Sequence, residues 1–246
     1  MLASRRRPWQ MRRRLAAPVG CSAQCGGLKF NVTIGTQRLL RIGRLVIAGD
    51  FAYLAYALWL RLHRLEFGDA NYVAPQDGYY HSQSGGPYLA KVLKSIRIPD
   101  DSVAIDFGVG MGIAALTLSR YFSRVIGVDL SPELITVAKR NLTRMQNTKI
   151  ELHCADARLF REGLDQVSHV YMFNPFPAPV MAVVMGNLRQ SLSRAPRTLT
   201  IIYKYPSCHE TVLLAGFAHE RTFRFRNSHP FAIYGSKNVR GETHRS

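Results

Sequence analysis

The chain has 246 residues, 47% of them hydrophobic, which is enough for one substantial buried core with an extra segment attached. Four cysteines provide no disulfide framework and no zinc spacing: Cys21 and Cys25 have no second ligand pair near them, Cys154 falls in a predicted strand and Cys208 just after another, and both of these read as small buried hydrophobes of a reducing compartment. The net charge of +17 is uneven. The first acid is Asp50, ten Lys or Arg precede it, and from there on 23 basic residues face 16 acidic ones.

The leader, 1–36, combines two Arg triplets, Arg5–Arg7 and Arg12–Arg14, with Gly, Pro, Ser and Ala, and shows no apolar period. It fits a solvated disordered tail, a mitochondrial presequence in a eukaryote, an arm that binds phosphates, or a start placed upstream of a true one at Met11 or later. A stretch over 37–68 follows. Leu45 to Leu60 is apolar apart from Gly49 and Asp50, with Arg residues at both ends. Sixteen residues fall short of the ~20 of a spanning helix, so the pattern predicts a helix that packs on the main domain or lies on a membrane surface. No cleavable secretory signal is evident, and the expected location is cytoplasmic.

The main domain is expected over 75–236, with 237–246 as a tail. Tyr79 to Pro87 forms a turn-rich lead-in, with Ser84 or a neighbour as N-cap of a helix over Tyr88–Ile96. Then comes the densest signal in the chain. Val103-Ala104-Ile105 ends in Asp106; glycines stand at 108, 110 and 112; a helix pattern covers Ile113–Tyr121; a second apolar run, Val125–Val128, ends in Asp129. Strand, glycine loop, helix, strand and acid make a unit that lets backbone approach a nucleotide-like cofactor and grip its ribose. Position 113 is Ile, which breaks the dinucleotide pattern G-x-G-x-x-G, and no Gly-Lys-Ser/Thr of a phosphate loop is present. Ser131 and Pro132 open a helix to Met145. Further strands are expected at Ile150–Cys154, His169–Phe173 and Thr198–Tyr203, with helices over Pro179–Leu192 and His209–Phe217 and a closing hairpin of Thr222–Arg226 and Pro230–Tyr234. Alternating strands and helices imply a three-layer α/β sandwich around a mostly parallel seven-stranded sheet, its last strand antiparallel, with an N-terminal helical extension. No internal repeat and no metal site is expected.

The alternate glycine spacing after Asp106, with an acid 23 positions on at Asp129, resembles motif I of the class I S-adenosylmethionine-dependent methyltransferases. The resemblance extends over roughly 75–236. It implies S-adenosyl-L-methionine as cofactor, held by Asp106, Gly108, Gly110 and Gly112, by Asp129 and the neighbouring Leu130, and by the Ala-Asp-Ala turn at Asp156 and Ala157. In that family the stretch before the first strand often folds over the methionine end of the cofactor, which makes Tyr80 and Ser84 further contacts. The turn Asn174-Pro175-Phe176-Pro177 resembles the Asn/Asp-Pro-Pro-aromatic motif of amino-methyltransferases, with Phe176 standing where the second proline belongs. The expected reaction is methyl transfer to nitrogen, with Asn174 positioning the acceptor and Phe176 beside it as catalytic residues, and His81, Tyr80 or Tyr203 as candidate proton acceptors. The acceptor itself is unknown, and nucleic acid or anionic membrane is a candidate partner of the basic leader. Two other classes stand beside this reading: a non-catalytic binding protein on the same fold, and an aminopropyltransferase. The second would need acids to hold a polyamine, and Asn174–Arg189 contains none.

Overall fold

The computed structural model describes residues 51–67 and 84–236, all within one compact unit, Ile42–Ser246. The readings made for 1–36, 237–246, Tyr80, His81, Cys21 and Cys25 lie outside the described residues.

Among the described residues six α-helices and seven strands follow in chain order: α1 Phe51–Leu62, α2 Pro87–Lys94, β1 Val103–Phe107, α3 Ile113–Leu118, β2 Arg124–Asp129, α4 Pro132–Arg144, β3 Ile150–Cys154, β4 Val167–Phe173, α5 Ala178–Arg194, β5 Thr200–Lys204, α6 His209–Leu214, β6 Phe217–Phe225 and β7 Ser228–Ser236. The strands form one sheet in the order β3-β2-β1-β4-β5-β7-β6. β1 lies parallel between β2 and β4, and only β7 runs against its neighbours β5 and β6. The chain moves outward from β1 to β3, then returns to lay β4 on the other side of β1. That reversal opens a crevice between the carboxyl ends of β1 and β4, which is where ligands sit in sheets of this kind.

The central strands are apolar because both faces are covered. Ala104, Val125, Tyr171, Ile202 and Ile233 face one way, into a core closed by α1, α2, α3 and α4. Ile105, Ile126, Val170, Ile201 and Tyr203 face the other, under α5 and α6. The helix α4 starts as its sequence predicts. The Ser131 hydroxyl accepts from Leu134 N–H at 3.2 Å, with Pro132 in the first turn.

Several boundaries differ from expectation, each for a local reason. α3 ends at Leu118, not Tyr121. The Ser119 hydroxyl donates back to Leu116 O, and Arg120 and Tyr121 close three-residue turns instead. α6 stops at Leu214 because Gly216, at φ 86°, turns the chain and Phe217 enters β6. The hairpin strands outrun their apolar cores, since pairing continues from Phe217↔Ser236 to Phe225↔Ser228. The helix α2 is capped by the backbone of Gly86 and not by Ser84. Cys154 is exposed, a correction to its expected burial; it lies on β3, an outermost strand of the sheet.

α1 packs on the domain. Leu60 is fully buried, which stabilises by about 2 kcal/mol. The segment after it is pinned by Asn141, whose side chain accepts from Glu66 N–H at 2.8 Å and donates to Glu66 O and to Met111 O in the glycine loop. The Glu66 carboxylate bridges Arg140 and Arg144. Among the described residues no helix is long and apolar enough to cross a membrane.

Candidate cofactor and acceptor site

All three glycines of the loop after β1 are in the left-handed region: Gly108 at φ 77°, Gly110 at 55° and Gly112 at 80°. This explains their alternate spacing, because residues with a Cβ are strained there. The loop is stitched to the end of β2. Gly108 and Val109 N–H donate to Val128 O, and Gly110 N–H donates to Asp129 Oδ2 at 2.8 Å. The other Asp129 oxygen accepts from Ser131 N–H at 3.0 Å. Leu130, the next residue, is half exposed. Gly127, unremarked in the sequence, makes room for this. A Cβ there would stand 2.8 Å from the Val109 side chain and 2.9 Å from Leu152.

Asp106 ends up beneath the loop and is only 1% exposed. Its Oδ2 has no hydrogen-bond partner among the described residues. Burial, and secondarily the charge of Asp129, push its pKa up to about 8. Beside it on β4, in register, stands Tyr171, whose hydroxyl is buried near that of Ser84. Burial raises the Tyr171 pKa, and the Ser84 hydroxyl offsets part of that rise. Ser84 therefore stands on the same side of the sheet as Asp106. An orphaned carboxylate oxygen under a left-handed glycine loop fits a ligand that brings a cation and hydrogen-bond donors, as the amino acid end of S-adenosylmethionine does.

Asp156 is already committed. It accepts from its own turn, Arg158 N–H at 2.8 Å, and pairs with the Arg158 guanidinium at 2.7 Å, which lowers its pKa. Ala157 is half-buried beside it.

The loop after β4 meets the glycine loop directly. A Cβ on Gly108 would stand 2.8 Å from Pro175 Cβ. Asn174 turns the chain at φ 41°. Its Oδ1 accepts from the Tyr203 hydroxyl at 3.2 Å and from the Ser207 hydroxyl in a short bond. Two donors saturate that oxygen, so its NH2 is the part of the amide left for a ligand. Tyr203 is correspondingly no base: burial raises its pKa and its hydroxyl is spent on Asn174. The Asn174 turn also sends Phe176 to the other face. Its ring is buried against Phe107 under α5, edge-on at 6.3 Å. This corrects the expectation that Phe176 flanks the acceptor; the ring at the edge is Phe173, which contacts His229.

Sequence reasoning missed Lys204. It is the last residue of β5, 7% exposed, with its ammonium 4.0 Å from the Phe173 ring centre. A lone lysine at the end of an apolar strand was the only available signal.

Seven strands in this order, with a glycine loop at the crevice and an acid at the end of β2, define the class I methyltransferase fold. Residues 104–195 match the family model described as a methyltransferase domain. Over that stretch, and in the order of its strands, the chain is similar to the S-adenosylmethionine-dependent methyltransferases. A magnesium-protoporphyrin O-methyltransferase of Rhodobacter capsulatus is 36% identical over 63 residues, 24% of this chain and 28% of that protein. An uncharacterized RNA methyltransferase of Chlamydia caviae is 30% identical over 91 residues, 36% of this chain and 23% of that protein. The chain thus matches about a quarter of the length of these relatives. A solved structure, the SAM-bound amino pentose methyltransferase CalS10 from Micromonospora echinaspora, superimposes with a TM-score of 0.49 at 12% identity, over 61% of this chain and 89% of that one.

Proposed function

We propose that this chain is an S-adenosylmethionine-dependent methyltransferase that presents a nitrogen acceptor at the Asn174 turn. The observation that carries the reading is the buried, unpartnered Asp106 beneath a glycine loop tied to Asp129. An α/β protein that merely used glycines in a turn would gain nothing from a carboxylate held at such a cost.

In this reading Asp129 accepts the two ribose hydroxyls, Asp106 faces the amino group, and the glycine backbone lets the ligand lie close. The bound cofactor supplies a methyl already activated by a sulfonium. The chain has to hold an unprotonated nitrogen in line with that methyl and to exclude water, and orientation of this kind lowers a barrier by ~7–11 kcal/mol. Asn174 is placed for it. With its oxygen clamped by Tyr203 and Ser207, its NH2 can donate to an oxygen or nitrogen next to the reacting atom and fix the acceptor's angle. Pro175, packed on Gly108, ties that turn to the cofactor loop.

Calorimetry and thermal-shift measurements on the full chain with S-adenosylmethionine and S-adenosylhomocysteine test the reading. Both ligands are expected to bind and to raise Tm. No heat and no shift with either would overturn it.

A further inference from the structure

We propose that the edge formed by β4, β5 and β7 holds an anionic oxygen group of the methyl acceptor, a carboxylate or a phosphate, on the ammonium of Lys204. The inference rests on the methyltransferase reading and names the acceptor's chemistry.

Lys204 lies in a slot. Phe173, its register partner on β4, is on one side and Phe231, its partner on β7, on the other. The ring centres are 4.0 and 5.7 Å from Nζ. The side chain is more than nine-tenths buried, with no hydrogen bond or ion pair to a described residue. A buried charge in a folded protein is ordinarily paired. Among the described residues no acid pairs with it. From Val167 to Ser236 the only acids are Glu210 and Glu220. Glu210 belongs to α6, which packs on the opposite face of the sheet. Glu220 lies against Gly235, four residues along β7 from Phe231, about 13 Å at ~3.3 Å per residue.

The slot lies at the end of β5, beside the exposed His229. Its outer wall is His229, stacked on Tyr205 at 4.4 Å and facing Phe173 at 5.8 Å. Burial lowers the pKa of His229, and the charge of Lys204 lowers it further. Burial brings Lys204 down to about 8, which leaves it mostly charged at neutral pH. Arg224 and Arg226, exposed near the tip of the β6–β7 hairpin, add positive charge without acid partners among the described residues. A cation with aromatic walls and no carboxylate repels an acceptor that carries an ammonium there. It suits a flat group ending in an anion, which would gain charge-assisted hydrogen bonds. The nitrogen to be methylated is then a different atom of the same acceptor, beside Asn174.

The test uses the full chain saturated with S-adenosylhomocysteine and three probes of one shape: benzoate, benzamide and benzylamine. Calorimetry is expected to show benzoate binding at least tenfold tighter than benzamide, and benzylamine not at all. Phenyl phosphate in place of benzoate tells a phosphate site from a carboxylate site. Lys204→Met and Lys204→Gln are each expected to lose benzoate at least tenfold while S-adenosylhomocysteine affinity stays within twofold. A wild type that binds benzoate no better than benzamide or benzylamine overturns the proposal, with no variant needed. Variants that keep the preference also overturn it. Failure of the wild type to bind S-adenosylhomocysteine would instead overturn the methyltransferase reading.

Discussion

The two halves of one sheet edge carry opposite chemistry. Over β1, β2 and β3 the carboxyl ends present Asp106, Asp129 and, just beyond, Asp156, with glycines between them. On the other side the carboxyl ends of β4 and β5, with the amino end of the antiparallel β7 beside them, present Phe173, Lys204, His229 and Phe231, with no carboxylate among the described residues of these strands. The line between the halves is the topological switch, where Gly108 and Pro175 touch. A parallel sheet aims every strand's last residue at the same surface, so charge alone has to sort two ligands along it. The acidic half suits a cofactor that is cationic at its sulfonium and amino group. The basic, aromatic half suits a partner of the other sign.

The sharpest way to separate the halves is Asn174. Asn174→Ala is expected to keep cofactor affinity and to lose roughly a hundredfold or more in methyl transfer, comparable with removing one positioned polar group from an active site. Asn174→Gly serves as its control. It accommodates the φ of 41° without strain, so a purely turn-forming role predicts full activity in the glycine variant. Equal activity in wild type and alanine variant would take Asn174 out of the site.

Asp129 tests the cofactor half. Asp129→Ala is expected to weaken S-adenosylmethionine by ~1.5–3 kcal/mol, the usual worth of hydrogen bonds to a charged group. Asp129→Asn is expected to lose less, because its amide oxygen still accepts from Gly110 N–H. Unchanged affinity in calorimetry would leave Asp129 as a strut for the glycine loop.

Asp106 tests whether the acidic half stores a cost for binding. Its folded pKa, about 8, lies above the ordinary 3.8. The folded state therefore retains a proton that the unfolded chain releases, and stability without ligand is expected to fall as pH rises from about 4 through about 8. Asp106→Asn is expected to flatten that slope in denaturant titrations and to add about 1–2 kcal/mol at pH 8, while weakening the cofactor. A variant whose stability follows the wild-type pH curve would mean that Asp106 is not the group responsible.

The smallest effect is expected from removing residues 1–36, the basic leader. Cofactor affinity should stay within twofold, since the described site draws on 84 onward. Salt-sensitive binding to nucleic acid or anionic vesicles should drop. Loss of cofactor binding in the truncated chain would extend the site into that segment.

Much of the acidic half of the edge was legible in the residues themselves. Asp106, the three glycines and Asp129 sit within one strand–loop–helix–strand unit, where local backbone demands choose the residues: left-handed φ selects glycine, and a strand end with an acid reads the same in sequence and in space. The parallel order of the strands was legible for a similar reason, since βαβ connections leave few topologies. The acceptor half was not. Phe176 looked exposed beside Asn174 until the turn sent it beneath α5. Lys204 looked like an ordinary lysine until β4 and β7 closed rings over it. The clamp on the Asn174 amide joins residues 29 and 33 positions apart. The fold class and the glycine loop could be read from the residues, because those follow from periodicity and from backbone conformation within a few positions. Only the tertiary structure decided which aromatic faces the edge, which amide oxygen is taken and which charge is left unpaired, because burial and partnering depend on strands that meet only once the sheet has formed.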